Sequence, residues 1–361
     1  VILLHLLAFI AGVIIVGYTL LAAIRSFVLP RAAPEPTARA VFVALRWLFN
    51  LALRSAADYG RRDAIMALYA PIGLILLVPT WLVMVAIGYS LMYWAIGSGA
   101  IERCVYLSGS SLLTLGMVGP EGPLQMVLAF SEATVGVILV ALLISYLPTM
   151  YSGFSRRESA VTMLEVRAGS PPSAAQMIER FHEIHGLDRL PEMWEEWERW
   201  FAEVEETHTS LSALTFFRSP APERSWITAS GAVLDAASIA LAALDVPNSP
   251  EAALCVRSGY LSLRRIAAFF GIEYDPSPAP TDPITILPAE FDELLQRLDR
   301  AGVPLKADRV QAWRDYAGWR VNYDRVLVAL CSLVMAPPAP WSSDRRLDAI
   351  HDWYAETADT N

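Results

Sequence analysis

Tyr106-Leu107-Ser108-Gly109-Ser110-Ser111-Leu112-Leu113-Thr114-Leu115-Gly116 is a polar, Ser/Thr-rich stretch in the short gap between two long apolar segments. A polar hairpin at membrane depth is costly unless protein or water covers its backbone. This is how a re-entrant loop between two spans reads in sequence, and it makes the chain a candidate ion channel.

Outward from this stretch, the chain is apolar. Of its 361 residues 55% are hydrophobic, and mean hydropathy is +0.39. Such a composition predicts membrane spans. The net charge of −9 is unevenly spread. Residues 1–152 carry 8 of the 28 basic and 6 of the 37 acidic side chains, and residues 153–361 carry the other 20 and 31. The first part reads as a membrane domain. The second is long enough to bury a core of its own. Cys104, Cys255 and Cys331 are far apart and form no CxxC, so neither a disulfide framework nor a zinc site is implied, and core positions are expected. The chain starts at Val1 without Met, which predicts further residues upstream. Residues 1–24 lack a basic n-region and outrun an h-region, so a retained span is expected.

The first span is placed at 1–29, apolar until Arg25. A second lies within Ala64 to Ile101, a run with no charge, where Pro71 and Pro79 start or kink it. A third runs from about Leu124 to Tyr151, with one acid, Glu132. Each suits a bilayer core of about 30 Å at 1.5 Å per residue. Arg25, Arg31, Arg39, Arg46, Arg54, Arg61 and Arg62 lie between the first two spans, Arg156 and Arg157 follow the third, and Arg103 alone lies in the remaining gap. The positive-inside rule then puts the N-terminus outside and residues 153–361 in the cytoplasm of a cell-membrane protein. Within 30–65, ARAVFVALRWLFNLALRS (38–55) fits an interfacial helix better than a span, or a helix packed on the cytoplasmic domain.

The pore stretch resembles the potassium-channel pore family, whose pattern is close to Y-F-S-x-x-T-L-T-T-V-G-Y-G-D. Without a gap, Tyr106, Ser108, Leu112, Thr114 and Gly116 are identical, and Ser111 and Leu115 are close changes. The resemblance covers about 66–152. It implies an outer helix (66–98), a pore helix and filter (101–120) and an inner helix (124–152). It also implies a selectivity filter of Thr114, Leu115, Gly116, Met117, Val118 and Gly119, and a homotetramer around one axis. Elementary physics agrees: a helix from Ile101 to Leu113 is too short to span, and its C-terminal end favours a cation. Successive carbonyls can replace an ion's hydration water.

The upper filter departs from the family. Met117 replaces the aromatic, and Val118 sits where a second glycine belongs, a position a β-branched residue tolerates poorly. A one-residue insertion would let Gly119 take that role. The family's acid is absent, with Glu121 close by. A filter reduced to its lower sites would pass sodium beside potassium, or conduct poorly.

Glu132 is a functional candidate as an ionisable group inside a span. It either supports the filter through Ser110 or Ser111, with Ser108 part of the same support, adds field at the mouth, or is a wet headgroup-level glutamate. Gly136 stands where the family places a hinge, or serves close packing. Pro148 bends the inner helix at a gate or marks its end. Thr134, Val137, Leu139 and Ala141 are candidates to line the cavity.

Residues 153–361 read as helices at 190–206, 225–245, 250–270, 289–300 and 307–334, separated by Pro-rich loops. Trp194, Trp197, Phe201 and Val204 form a stripe expected in a core or a helix interface, with an aromatic binding patch the alternative. The glutamates beside them read as a solvated face. His182-Glu183-Ile184-His185 lacks the i, i+4 spacing of His-Glu-x-x-His, and His208 or Glu206 would join only through folding, so a surface helix end is expected. No GxGxxG or Walker pattern follows residue 153, and Gly97-Ser98-Gly99 has no strand before it.

The expectation is an all-α membrane protein with three transmembrane helices, a re-entrant pore helix and loop, and an all-α cytoplasmic domain. It is expected to be no enzyme and to carry no cofactor and no metal beyond permeating potassium or sodium. Its expected partners are lipid and its own copies, with no nucleic acid. The alternative is a non-conducting, channel-like membrane scaffold or sensor.

Overall fold

A computed structural model of the chain describes residues 2–29, 35–54, 56 and 58–347. Arg31 of the arginine cluster lies outside them. Two compact units form: Val1–Ala56 with Ile65–Ser152, and Ala57–Ala64 with Gly153–Asn361. Among the described residues all regular structure is helical, with one isolated bridge between Leu244 and Leu305.

The first unit contains α1 (Ile2–Phe27), α2 (Pro36–Leu53), the end of α3 (Tyr59–Ala67), whose first residues belong to the second unit, all of α4 (Tyr69–Ala95), α5 (Ile101–Leu112), and the first part of α6 (Pro123–Ala168). The Glu35 carboxylate accepts from Ala38 N at 2.6 Å, and Pro36 supplies the fixed φ of a first helical turn, so α2 starts there. Within this unit α4 is central, packing on α1, α2 and α5. The α1–α4 crossing depends on two glycines. A Cβ on Gly12 would stand 2.4 Å from the Gly88 carbonyl oxygen, and one on Gly88 would stand 2.7 Å from Val16 Cγ2. Small residues that let backbones approach are how helices associate where lipid supplies no hydrophobic drive.

The second unit contains the end of α6, α7 (Ala174–Glu183), α8 (Leu190–Ser210), α9 (Trp226–Ala243), α10 (Pro250–Phe269), α11 (Pro288–Arg300), α12 (Arg309–Arg320) and α13 (Asp324–Val334). Its starts are capped locally: Ser249 accepts from Ala252 N at 3.3 Å, and Asp308 from Gln311 N at 2.9 Å. Around α9, buried on nearly every face, pack α7, α10, α12 and α13. Gly259 lets α10 close in; its Cβ would stand 2.5 Å from Leu234 Cδ2. Trp194, Trp197, Trp200, Phe201 and Val204 all lie in this core, so the stripe on α8 is packing rather than a binding patch.

Four helical stretches are long and apolar enough to cross a membrane: Ile2–Phe27, Tyr59–Ala95, Pro123–Ala168 and Trp226–Ala243. The first three leave most of their apolar surface uncovered, as helices facing lipid do. The fourth is enclosed by its own unit, the other setting in which an all-round apolar helix is stable.

The structure corrects several expected boundaries. The helix expected over 66–98 is two, α3 and α4, and ends at Ala95. The helix that begins at Pro123 does not stop at 152 but continues to Ala168 through Pro148. The single stretch 307–334 is two helices that break at Val321–Tyr323. All three cysteines are free and buried, as core residues.

Candidate functional site

α5 is the short helix that carries the pore-like stretch. Its inner face buries Cys104, Leu107, Ser108, Ser110 and Leu112. Behind it stands Glu132, on α6, with no exposed surface. The Ser108 hydroxyl donates to Glu132 Oε1 at 2.5 Å, and the Tyr93 hydroxyl of α4 donates to Oε2 at 3.0 Å. Next to this pair, Tyr89 and Ser131 share a hydrogen bond of 2.9 Å. One carboxylate therefore joins three helices. The alternative of a wet, headgroup-level glutamate is overturned, because the side chain is enclosed and bonded. Its partners are Ser108 and Tyr93, not the expected Ser110 or Ser111.

Ser110 has another task. Its hydroxyl accepts from Val118 N at 3.0 Å and lies 3.2 Å from Val118 O. Ser111 is half-buried on the last turn of α5. The end of this helix is closed by Leu113 N to Gly109 O at 3.2 Å and Leu115 N to Ser110 O at 2.8 Å. Thr114 sits between these bonds at φ +56°, as in a left-handed helix cap. A β-branched residue rarely adopts that conformation, at a cost of about 1–3 kcal/mol. Gly116 follows at φ +69°, where it carries no such penalty.

The cap bonds use the carbonyls of Gly109, Ser110 and Ser111. Among the described residues, nothing donates to the carbonyls of Thr114, Leu115 or Gly116. Thr114, Leu115, Gly116, Met117 and Gly119 are exposed in the single chain, and Val118 is half-buried. The loop returns to α6 through an ion pair of Arg103 with Glu121 and a bond from Glu121 N to Gln125 Oε1 at 2.9 Å.

On α6, a Cβ at Gly136 would stand 2.4 Å from the Leu112 carbonyl oxygen. Glycine here seats α6 against the end of α5. Pro148 lies inside α6 and exposed. Of the candidate lining residues, Thr134, Val137 and Ala141 share an exposed face. Leu139 does not: it is fully buried, because a step of two residues turns it to the packed side.

In the second unit, His182 is on the last turn of α7 and His185 follows at φ +55°. No group of metal-ligating side chains gathers among the described residues. His208 is buried instead. Its Nδ1 is 2.9 Å from Val204 O, and its Nε2 is 3.2 Å from Arg157 Nη1. Arginine only donates, so Nε2 accepts and Nδ1 carries the proton. Burial, then the facing Arg157 guanidinium, hold the imidazole well below its ordinary pKa.

Sequence reasoning missed a buried, fully bonded acid in the second unit, Asp235. Asp235 accepts from Arg320 at 2.5 and 2.7 Å, from Tyr323 at 2.9 Å and from Tyr316 at 3.1 Å. Arg320 also donates to Asp324 at 2.7 Å and to Trp341 O at 2.6 Å. Burial pulls the guanidinium pKa down, but Asp235 and Asp324 outweigh it and hold Arg320 well above its usual value. The available signal was Asp235 as the single charge in the apolar run 226–243. Family models, curated proteins and solved structures show no match to this chain.

Proposed function

We propose that the chain is one subunit of a homotetrameric cation channel, with α5 and the following loop as a re-entrant pore element in the cell membrane. The single observation that carries this reading is the run of exposed residues from Thr114 to Gly116, whose carbonyls accept no bond among the described residues, directly after a short helix anchored by a buried carboxylate. Carbonyls repeated around an axis are a monovalent cation's coordination shell. The exposed surface of Leu113, Leu115 and Met117 on a single chain is what a neighbouring subunit would cover. In this reading Thr114, Leu115 and Gly116 form the lower filter, Met117, Val118 and Gly119 the weaker upper part, and Thr134, Val137 and Ala141 face the cavity. Gly136 is a packing residue and Pro148 the candidate gate. The N-terminus is outside and the second unit is a cytoplasmic domain that assembles or regulates the pore.

A second reading has its own observation. The Ser110 hydroxyl contacts both the N–H and the carbonyl of Val118, which holds the upper loop over α5. A loop fixed in that form suits a non-conducting scaffold or sensor. The double substitution Met117→Tyr with Val118→Gly distinguishes the two. In a working filter it raises the potassium-to-sodium permeability ratio in bilayer recordings. An unchanged ratio in a conducting protein rejects the ungapped register, and no current in either form favours the scaffold.

A further inference from the structure

We propose that the N-terminus of α9 holds a small monatomic anion, chloride, in the second unit. Residues Thr215, Phe216, Phe217, Arg218, Ser219, Arg224, Ser225, Trp226 and Val334 surround a cavity of about 20 Å³. One water-sized particle needs about 10–15 Å³, so the cavity takes a single atom or one water, and a phosphate is too large.

Its chemistry is that of donors. Ser225 caps the 18-residue α9 without a side-chain bond. The N–H groups of Trp226, Ile227 and Thr228 precede the first helical bond, Ala229 N to Ser225 O at 3.0 Å, so none has an acceptor within the helix. Their dipoles favour negative charge at this end. Two buried hydroxyls add to them. Thr215 is 1% and Ser219 8% exposed, and neither hydroxyl oxygen has a partner among the described residues. The Nε of Arg224 is likewise buried without one. The other nitrogens of Arg224 are engaged, by Glu165 and by Thr162 at 3.1 Å. Arg218 is engaged with Asp63 at 2.6 Å.

Counting donors separates the occupants. The N–H of Trp226, the Nε–H of Arg224 and the rotatable hydroxyls of Thr215 and Ser219 belong to residues that line the cavity. A water accepts from two of them and gives its own protons to the two hydroxyl oxygens, whereas a chloride accepts from all four. The 214–219 segment is held in place by Arg157 to Leu214 O and Phe217 O, both 2.8 Å, and by Trp226 Nε1 to Thr215 O at 3.2 Å. Those bonds fix a loop whose inward groups need a ligand.

The test uses the full chain, crystallised with bromide in place of chloride. An anomalous bromide peak at the N-terminus of α9 is expected. A particle there without anomalous signal is a water and overturns the proposal. In parallel, chloride is expected to raise the melting temperature over gluconate at equal ionic strength by about 2–4 °C. The Thr215→Val, Ser219→Ala double variant is expected to lose that difference. Equal melting of the unsubstituted chain in both salts also overturns the proposal, and neither wild-type readout depends on the variant folding.

Discussion

Glu132 shows what one residue does when its position and partners agree. A carboxylate enclosed among helices is costly unless its lone pairs are used, and here Ser108 and Tyr93 use them. The three groups therefore act as a unit that fixes α5 on α4 and α6. Glu132→Ala takes the acceptor from the Tyr93 hydroxyl, leaves Ser108 to donate to Ala86 O at 3.1 Å instead, and opens a cavity, and is predicted to cost about 2–4 kcal/mol of stability. Glu132→Gln should cost less, since its amide oxygen still accepts and a hydroxyl can rotate to take an amide N–H. Chemical unfolding of the detergent-solubilised protein measures both. An alanine variant as stable as the parent would mean that the cluster does not hold α5. Thr114 makes the opposite trade, with a strained φ kept where the helix ends and the carbonyls that follow accept no bond among the described residues.

At the level of elements, α9 parallels the apolar first part of α6: a run with one buried acid that fastens its neighbours. Asp235 joins α9 to α12 and α13 through Arg320, Tyr316 and Tyr323. Asp235→Ala leaves Arg320 buried with Asp324 alone, and the predicted loss is about 3–5 kcal/mol in denaturant unfolding. A loss below about 1 kcal/mol would show that Asp324 and the carbonyl of Trp341 suffice. Much of this architecture was legible in sequence. The uncharged run before Ile101, the arginines that close each span, the α8 stripe and the lone Glu132 all follow from periodicity and the cost of buried charge. The partners of Glu132 were not legible, because Tyr93 and Ser108 come from two other helices and hydroxyls are common on any helix. Nor was the break at Val321–Tyr323, where no Gly or Pro interrupts the helical spacing and the Asn322 side chain donates to the last carbonyls of α12, Gly318 O at 3.0 Å and Trp319 O at 3.2 Å. The length of α6 was hidden in the same way, since Pro148 reads as an end while the helix continues through it.

For the whole molecule, acid stability is set in part by His208. Its folded pKa lies well below the ordinary 6.5, so between the two values the unfolded chain binds the extra proton and the folded chain does not. The stability this histidine contributes is complete above about pH 6.5 and is lost as pH falls, by up to about 1.4 kcal/mol per pH unit. Melting of the full chain between about pH 7 and pH 5 should show that slope, and His208→Gln should flatten it. A slope unchanged by the substitution would place the proton elsewhere. The central claim is larger: that four copies of α5 and its loop surround a path for cations. The most direct test is ion flux from purified protein in liposomes under separate potassium and sodium gradients. The account predicts flux, either of potassium alone or of both cations where only the lower filter selects, and its reduction when Glu132 is changed to Gln. A protein that stays silent for both ions, with the segment 149–152 near Pro148 also substituted to hold any gate open, would contradict it.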